Sequence, residues 1–172
     1  MKTQQKRLLL AATFLWGLVG CSLTGPVRED PKAVQTNFAA PSAGRWVVLK
    51  DKDDADNAWV HKKTGATLAL RSVCRRYEHL SLQVLSQNLI NTLQEPEVEN
   101  QESLTVAGRA ALATAFKGTV DGVDIQNKLV VMRKDHCIFD FTLSQLGRIA
   151  PEVLADFDAF LKSFRYEGGE AQ

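Results

Sequence analysis

The sequence predicts an α+β domain: a mainly antiparallel sheet of about six or seven strands, packed by two amphipathic helices. Three observations lead there. Short apolar runs with period-two alternation are separated by turn-forming residues, which is the pattern of hairpins. Two segments, one in mid-chain and one near the C-terminus, instead carry apolar residues at helical spacing. Hairpin connections dominate the resulting order, so the sheet is expected to be mainly antiparallel and the class α+β.

Taken in order, Arg45–Lys50 is a short apolar run between Gly44 and an acidic turn containing Asp51, Asp53, Asp54 and Asp56, and it reads as a strand. Residues 58–61 and 66–74 flank Lys62-Lys63-Thr64-Gly65, a hairpin pattern. In the second arm Leu68, Leu70, Ser72 and Cys74 share one face. From Ser81 to Gln94, Leu82, Leu85, Leu89 and Leu93 form one helical stripe, and Pro96 is expected to end it. A polar strand ending near Val106 follows, with a bend at Gly108. Residues 111–120 and 123–134 are joined by Asp121-Gly122, the strongest short hairpin signal in the chain. After a turn at Asp135, Cys137, Phe139, Phe141 and Leu143 alternate onto one face. Pro151 suits a first helical position, and Val153, Leu154, Phe157, Phe160, Leu161 and Phe164 form a broad stripe running to about Ser163. The expected order is β-β-β-α-β-β-β-β-α over residues 45–166, with residues 167–172 a frayed tail.

The 172 residues include 21 Lys and Arg against 20 Asp and Glu, so no global basic field points to nucleic acid. At the start Lys2, Lys6 and Arg7 form a basic segment that precedes the apolar run Leu8–Gly20. That run reaches only about 20 Å as a helix, too short for a hydrocarbon core of about 30 Å, and it reads as a signal peptide over residues 1–20. It ends in Leu18-Val19-Gly20-Cys21, which resembles the lipobox of bacterial lipoproteins. The resemblance implies a diacylglyceryl group on the Cys21 thiol, cleavage before Cys21 and acylation of the new amine. The alternative is an ordinary secretory signal with an incidental cysteine. Two or three acyl chains anchor a protein durably.

Loss of residues 1–20 leaves 18 basic against 20 acidic side chains. Ser22 is not the aspartate associated with inner-membrane retention in enteric bacteria, which favours the inner leaflet of the outer membrane, facing the periplasm. Residues 21–44 are interrupted by Pro26, Pro31 and Pro41. They read as the lipidated cysteine and a flexible tether of roughly 25–30 Å reach. The alternative is an arm packed on the domain through Phe38.

The element order over 45–166, the Gly108-Arg109-Ala110 bend, the hairpin after Phe116-Lys117-Gly118 and the closing Phe160-Leu161-Lys162-Ser163-Phe164-Arg165 resemble the PsbP-like superfamily, including DcrB-type bacterial lipoproteins. That resemblance implies accessory or assembly roles and no shared catalytic set.

Few residues carry candidate chemistry. Cys74 and Cys137 point coreward and would be secreted into an oxidising envelope, so a disulfide is expected, with two buried thiols as the alternative. His136 adjoins Cys137 but faces the other side of a strand, and His79 could reach Cys74 only across a turn, so a Cys–His nucleophile is not expected. No ligand spacing supports zinc, and the Asp51–Asp56 turn lacks the glycine and glutamate of a calcium loop. Arg71, Arg75 and Arg76, with Lys62 and Lys63, could meet anionic lipid headgroups or could simply be a solvated strand end. Trp46 and Trp59 read as core rather than as a ligand platform. The expected protein is therefore a non-enzymatic envelope lipoprotein without metal or cofactor. Its partners would be the membrane, through its acyl chains, and an envelope protein complex. The alternative function is a binding or transport accessory for a lipid or other apolar ligand.

Overall fold

The computed structural model describes residues 35–74 and 80–167. Cys21, Arg75, Arg76, His79 and the Gly168-Gly169 tail lie outside them. The elements are β1 (Gln35–Asn37), β2 (Trp46–Val48), β3 (Asn57–His61), β4 (Thr67–Cys74), α1 (Leu82–Ile90), β5 (Gln94–Val106), β6 (Arg109–Val120), β7 (Val123–Lys134), β8 (Cys137–Leu146), α2 (Pro151–Ser163) and β9 (Arg165–Glu167). Seven strands form one antiparallel sheet in the order β2-β3-β4-β8-β7-β6-β5, while β1 and β9 make a separate two-stranded sheet. Two meanders, β2-β3-β4 and β5-β6-β7-β8, thus meet along a β4–β8 seam, with α1 carrying the chain across to the far edge.

The turns follow from their residues. Ala107-Gly108 and Asp121-Gly122 all adopt positive φ, between 47° and 77°. That is the backbone twist a two-residue hairpin turn demands, and glycine adopts it without strain. Gly118 answers a different need, because a Cβ there would lie 2.9 Å from the Gln94 carbonyl oxygen and 3.2 Å from Leu93. The chain leaving α1 is therefore laid directly against β6.

That exit differs from the expected helix over 81–94. Ser81 caps α1 through a bond from the Val84 amide, but the helix closes at Asn91. Gln94 already pairs with Thr119. Pro96 interrupts no helix. It sits in edge strand β5 beside a register shift between Gln94 and Glu97, where a missing amide donor is tolerated.

Alternation divides the core between the two sheet faces. On one face Leu68, Leu70, Val130, Met132, Phe139, Phe141 and Leu143 pack against Val153, Phe157, Phe160 and Phe164 of α2 and its C-cap. On the other, Leu129, Val131, Ile138 and Phe116 pack against Leu85 and Ile90 of α1. Trp46 and Trp59 belong to the first core. Asp156 pins α2 to the β2 edge, accepting from the Trp46 indole at 2.8 Å and pairing with the Arg45 guanidinium.

The domain begins earlier than residue 45. Gln35–Asn37 pair with Arg165–Glu167, and the Phe38 ring lies 5.2 Å from that of Phe160 and 6.0 Å from that of Trp59. Residues 35–44, expected to close the flexible tether, are thus the packed arm that Phe38 makes possible. Burying an aromatic ring outweighs the ordering of a short arm.

Candidate functional site

Cys74 and Cys137 are directly opposite residues of the β4–β8 register, and their sulfurs are bonded, with 4.0 Å between Cα atoms. The bond stitches the two meanders together at one end of their seam. A bonded sulfur is neither a thiolate nucleophile nor a metal ligand. Among the described residues, no three His, Cys, Asp or Glu side chains gather as metal ligands.

The expected basic grouping of Lys62 and Lys63 with Arg71 is separated by the structure. The two lysines occupy the turn before β4, and Lys62 donates to the Ala43 and Gly44 carbonyls. Arg71 is the fifth residue of the eight-residue strand, roughly 13 Å along it at about 3.3 Å per residue. Its guanidinium is 3.5 Å from Asp54, and its register partner is Asp140. The acidic turn is likewise engaged with β4, because Asp56 accepts from both the amide and the hydroxyl of Ser72.

Asp140 is a carboxylate buried in the middle of the sheet, with its Oδ1 lacking a hydrogen-bond partner. Burial pushes its pKa up to about 6, against an opposing pull from Arg71. The raised value means that the folded state holds this proton more tightly than the unfolded chain. Stability is therefore highest below the unfolded pKa of 3.8, declines as pH rises to about 6 and stays at the lower level above that. Asp140→Asn is expected to raise stability by about 2–3 kcal/mol at pH 7.5 and by little at pH 4. Paired thermal melts at the two pH values check this. An equal shift at both would show that the charge is not the cause.

A concavity of about 690 Å³ is an open trough beside β5 and β6 at the β6–β7 hairpin end. A second hollow of about 330 Å³ shares Gln126 and Arg148 with it and reaches the N-terminus of α2. Glu95, Glu97, Glu99, Lys117 and Arg148 line the trough, and Lys117 lies 3.2 Å from its register partner Glu97. The Gln126 amide ties Glu99 to the Ile149 backbone. By contrast, phenylalanine rings fill the space between α2 and the sheet.

A further cluster escaped sequence reasoning. At the opposite end of the strands, the Arg109 guanidinium donates to the Tyr166 hydroxyl at 3.4 Å. The Lys134 ammonium stands 5.3 Å from the centre of the same ring. Arg165 is adjacent, and a hollow of about 450 Å³ lies between Arg165-Tyr166 and the Ala107-Gly108 turn. Two strand turns and the β1–β9 pairing bring these residues together, so no local spacing announces them.

No family model matches the chain, and no curated protein matches it in sequence. Solved structures do resemble it. The Mycobacterium tuberculosis protein LpqN, described as involved in cell envelope biogenesis, superimposes with a TM-score of 0.58 at 12% identity, over 82% of this chain and 88% of its own. The cyanobacterial PsbP of Synechocystis gives 0.54 at 13% identity, over 83% and 96%. A Bacteroides thetaiotaomicron protein gives 0.55 at 7% identity, over 80% of this chain and 47% of its own. The likeness is one of fold: the domain is built as a PsbP-like α+β sheet.

Proposed function

We propose that the chain is a non-enzymatic envelope lipoprotein, anchored through acyl groups on Cys21 and presenting its PsbP-like domain to the periplasm as an accessory to an envelope protein complex. Cleavage before Cys21 removes residues 1–20, and residues 22–34 link the anchor to β1. The observation that carries the accessory reading is the contrast between its filled core and its open surfaces. Aromatic rings occupy the space between α2 and the sheet where an apolar ligand would lodge, while the trough beside β5 and β6 is open and lined by Glu95, Glu97, Glu99, Lys117, Asp124 and Arg148. A surface of that kind suits docking better than enclosure. The solved likenesses support the same reading, since they are described by envelope biogenesis and by PsbP rather than by a reaction. No helix among the described residues is long and apolar enough to cross a membrane, so Cys21 supplies the membrane attachment in this reading.

Expression of the full chain in a bacterium fed an alkyne-bearing palmitate tests the anchor. Label and protein are expected together in the outer-membrane fraction, and Cys21→Ser is expected to abolish the label and release the chain from that fraction. An unlabelled, soluble parent chain would overturn the lipoprotein reading. A stoichiometric lipid adduct on the domain in native mass spectrometry would overturn the accessory reading in favour of a carrier.

A further inference from the structure

We propose that the end of the domain where β1 and β9 pair is a docking surface for the headgroups of anionic phospholipids, formed by Arg109, Lys134 and Arg165 around Tyr166. Two cations meet at one tyrosine, Arg109 at its hydroxyl and Lys134 over its ring, and Arg165 lines the same hollow. Arg109 and Arg165 are exposed. The Arg165 guanidinium is held by the Lys162 and Phe164 carbonyls at 2.8 and 2.7 Å, and Lys162 adds a fourth positive charge in the last turn of α2. Against them stand Asp135, bonded to Lys134 at 2.8 Å, and, farther across the same end of the sheet, the Asp51–Asp56 turn, whose Asp54 pairs with Arg71 and whose Asp56 accepts from Ser72. Cations held together in this way repel one another, and a phosphate seated in the hollow beside Tyr166 would relieve that repulsion. Tyrosine itself suits a boundary between apolar and hydrated layers.

The chain path selects a lipid surface as the occupant. β1 is the described element nearest Cys21 in sequence, and it lies at this same end, paired with Tyr166 and Arg165. Residues 22–34 would hold this end within a root-mean-square distance of roughly 20 Å from the anchored cysteine. The opposite end carries Asp121, Asp124, Glu95, Glu97 and Glu99, with Lys62, Lys63, Lys117 and Arg148 interspersed. Turning the β1–β9 end toward an anionic leaflet therefore places the exposed Arg109, Lys162 and Arg165 against it. This orientation rests on the lipidation of Cys21, whereas affinity for headgroups does not.

The test uses the mature chain, residues 21–172, carrying Cys21→Ser so that acyl chains play no part. Phosphatidylcholine vesicles, with and without one-third phosphatidylglycerol, are sedimented with it at low and raised salt. The chain is expected to bind the anionic vesicles and to be released by salt. At roughly fivefold per surface cation, Arg109→Gln with Arg165→Gln is expected to weaken binding about thirtyfold. Lys62→Gln with Lys63→Gln, at the other end of β4, is expected to leave it within about twofold. Equal binding to both vesicle types, binding to neither, or an equal loss in the two double variants would overturn the proposal. Failure of palmitate labelling alone would remove the anchor and leave the headgroup surface standing.

Discussion

Truncating Phe160 to alanine is expected to lower folding stability by about 4 kcal/mol, the upper range for a buried aromatic. The ring is 2% exposed and sits where four parts of the chain converge. Its centroid lies 5.2 Å from Phe38 of the N-terminal arm, 5.5 Å from Trp59 of β3 and 6.1 Å from Phe141 of β8, all edge-on arrangements that add to simple burial. The cavity could not collapse easily. Three of its walls belong to a sheet or to a helix whose other contacts hold it in place, so the lining would lose its van der Waals partners outright. Urea unfolding of the parent and variant checks the figure. Phe38→Ala provides the companion measurement, since it removes only the arm's contribution and is expected to cost less. A loss under about 1 kcal/mol for Phe160→Ala would mean that the arm and helix are not packed as described.

The elements that carried their own periodicity were legible in the sequence. The α2 stripe, the Asp121-Gly122 hairpin and the alternation of Cys137, Phe139, Phe141 and Leu143 each express a local rule, and each appears in the structure with nearly the expected bounds. What escaped was set by distant partners. β1 and β9 are three residues each, too short for any period, and they exist because Phe38 finds a place among Trp59 and Phe160. The early end of α1 depends on the missing Cβ of Gly118, more than twenty residues away. The same logic governs the sites. Pairing Cys74 with Cys137 needed only secretion and phase, whereas the cluster around Tyr166 draws on β6, β7 and β9 and leaves no trace in local spacing. Arg71 read as a surface cation, and its side chain is 39% exposed; what its alternation with Leu70 and Ser72 does not give is its neighbour across the seam. The register places buried Asp140 there.

Removing the disulfide with Cys74→Ala and Cys137→Ala is expected to cost roughly 4 kcal/mol on the loop-entropy model, given a separation of 63 residues. The seam that it closes has eight register pairs between β4 and β8, from Thr67–Ser144 to Cys74–Cys137. The native sheet is therefore expected to survive, and the effect to fall on the unfolded chain. That distinction is measurable. An unfolded chain freed of its cross-link is more expanded and exposes more surface, so the urea m-value should rise while the midpoint falls. If instead the midpoint fell with an unchanged m-value, the loss would trace to packing around Cys137, which is 1% exposed within the α2-facing core. A variant as stable as the parent would mean that the β4–β8 pairing alone joins the two meanders. Reduction of the parent chain should reproduce the m-value change without the small cavity that two alanines leave, which separates the covalent effect from the steric one.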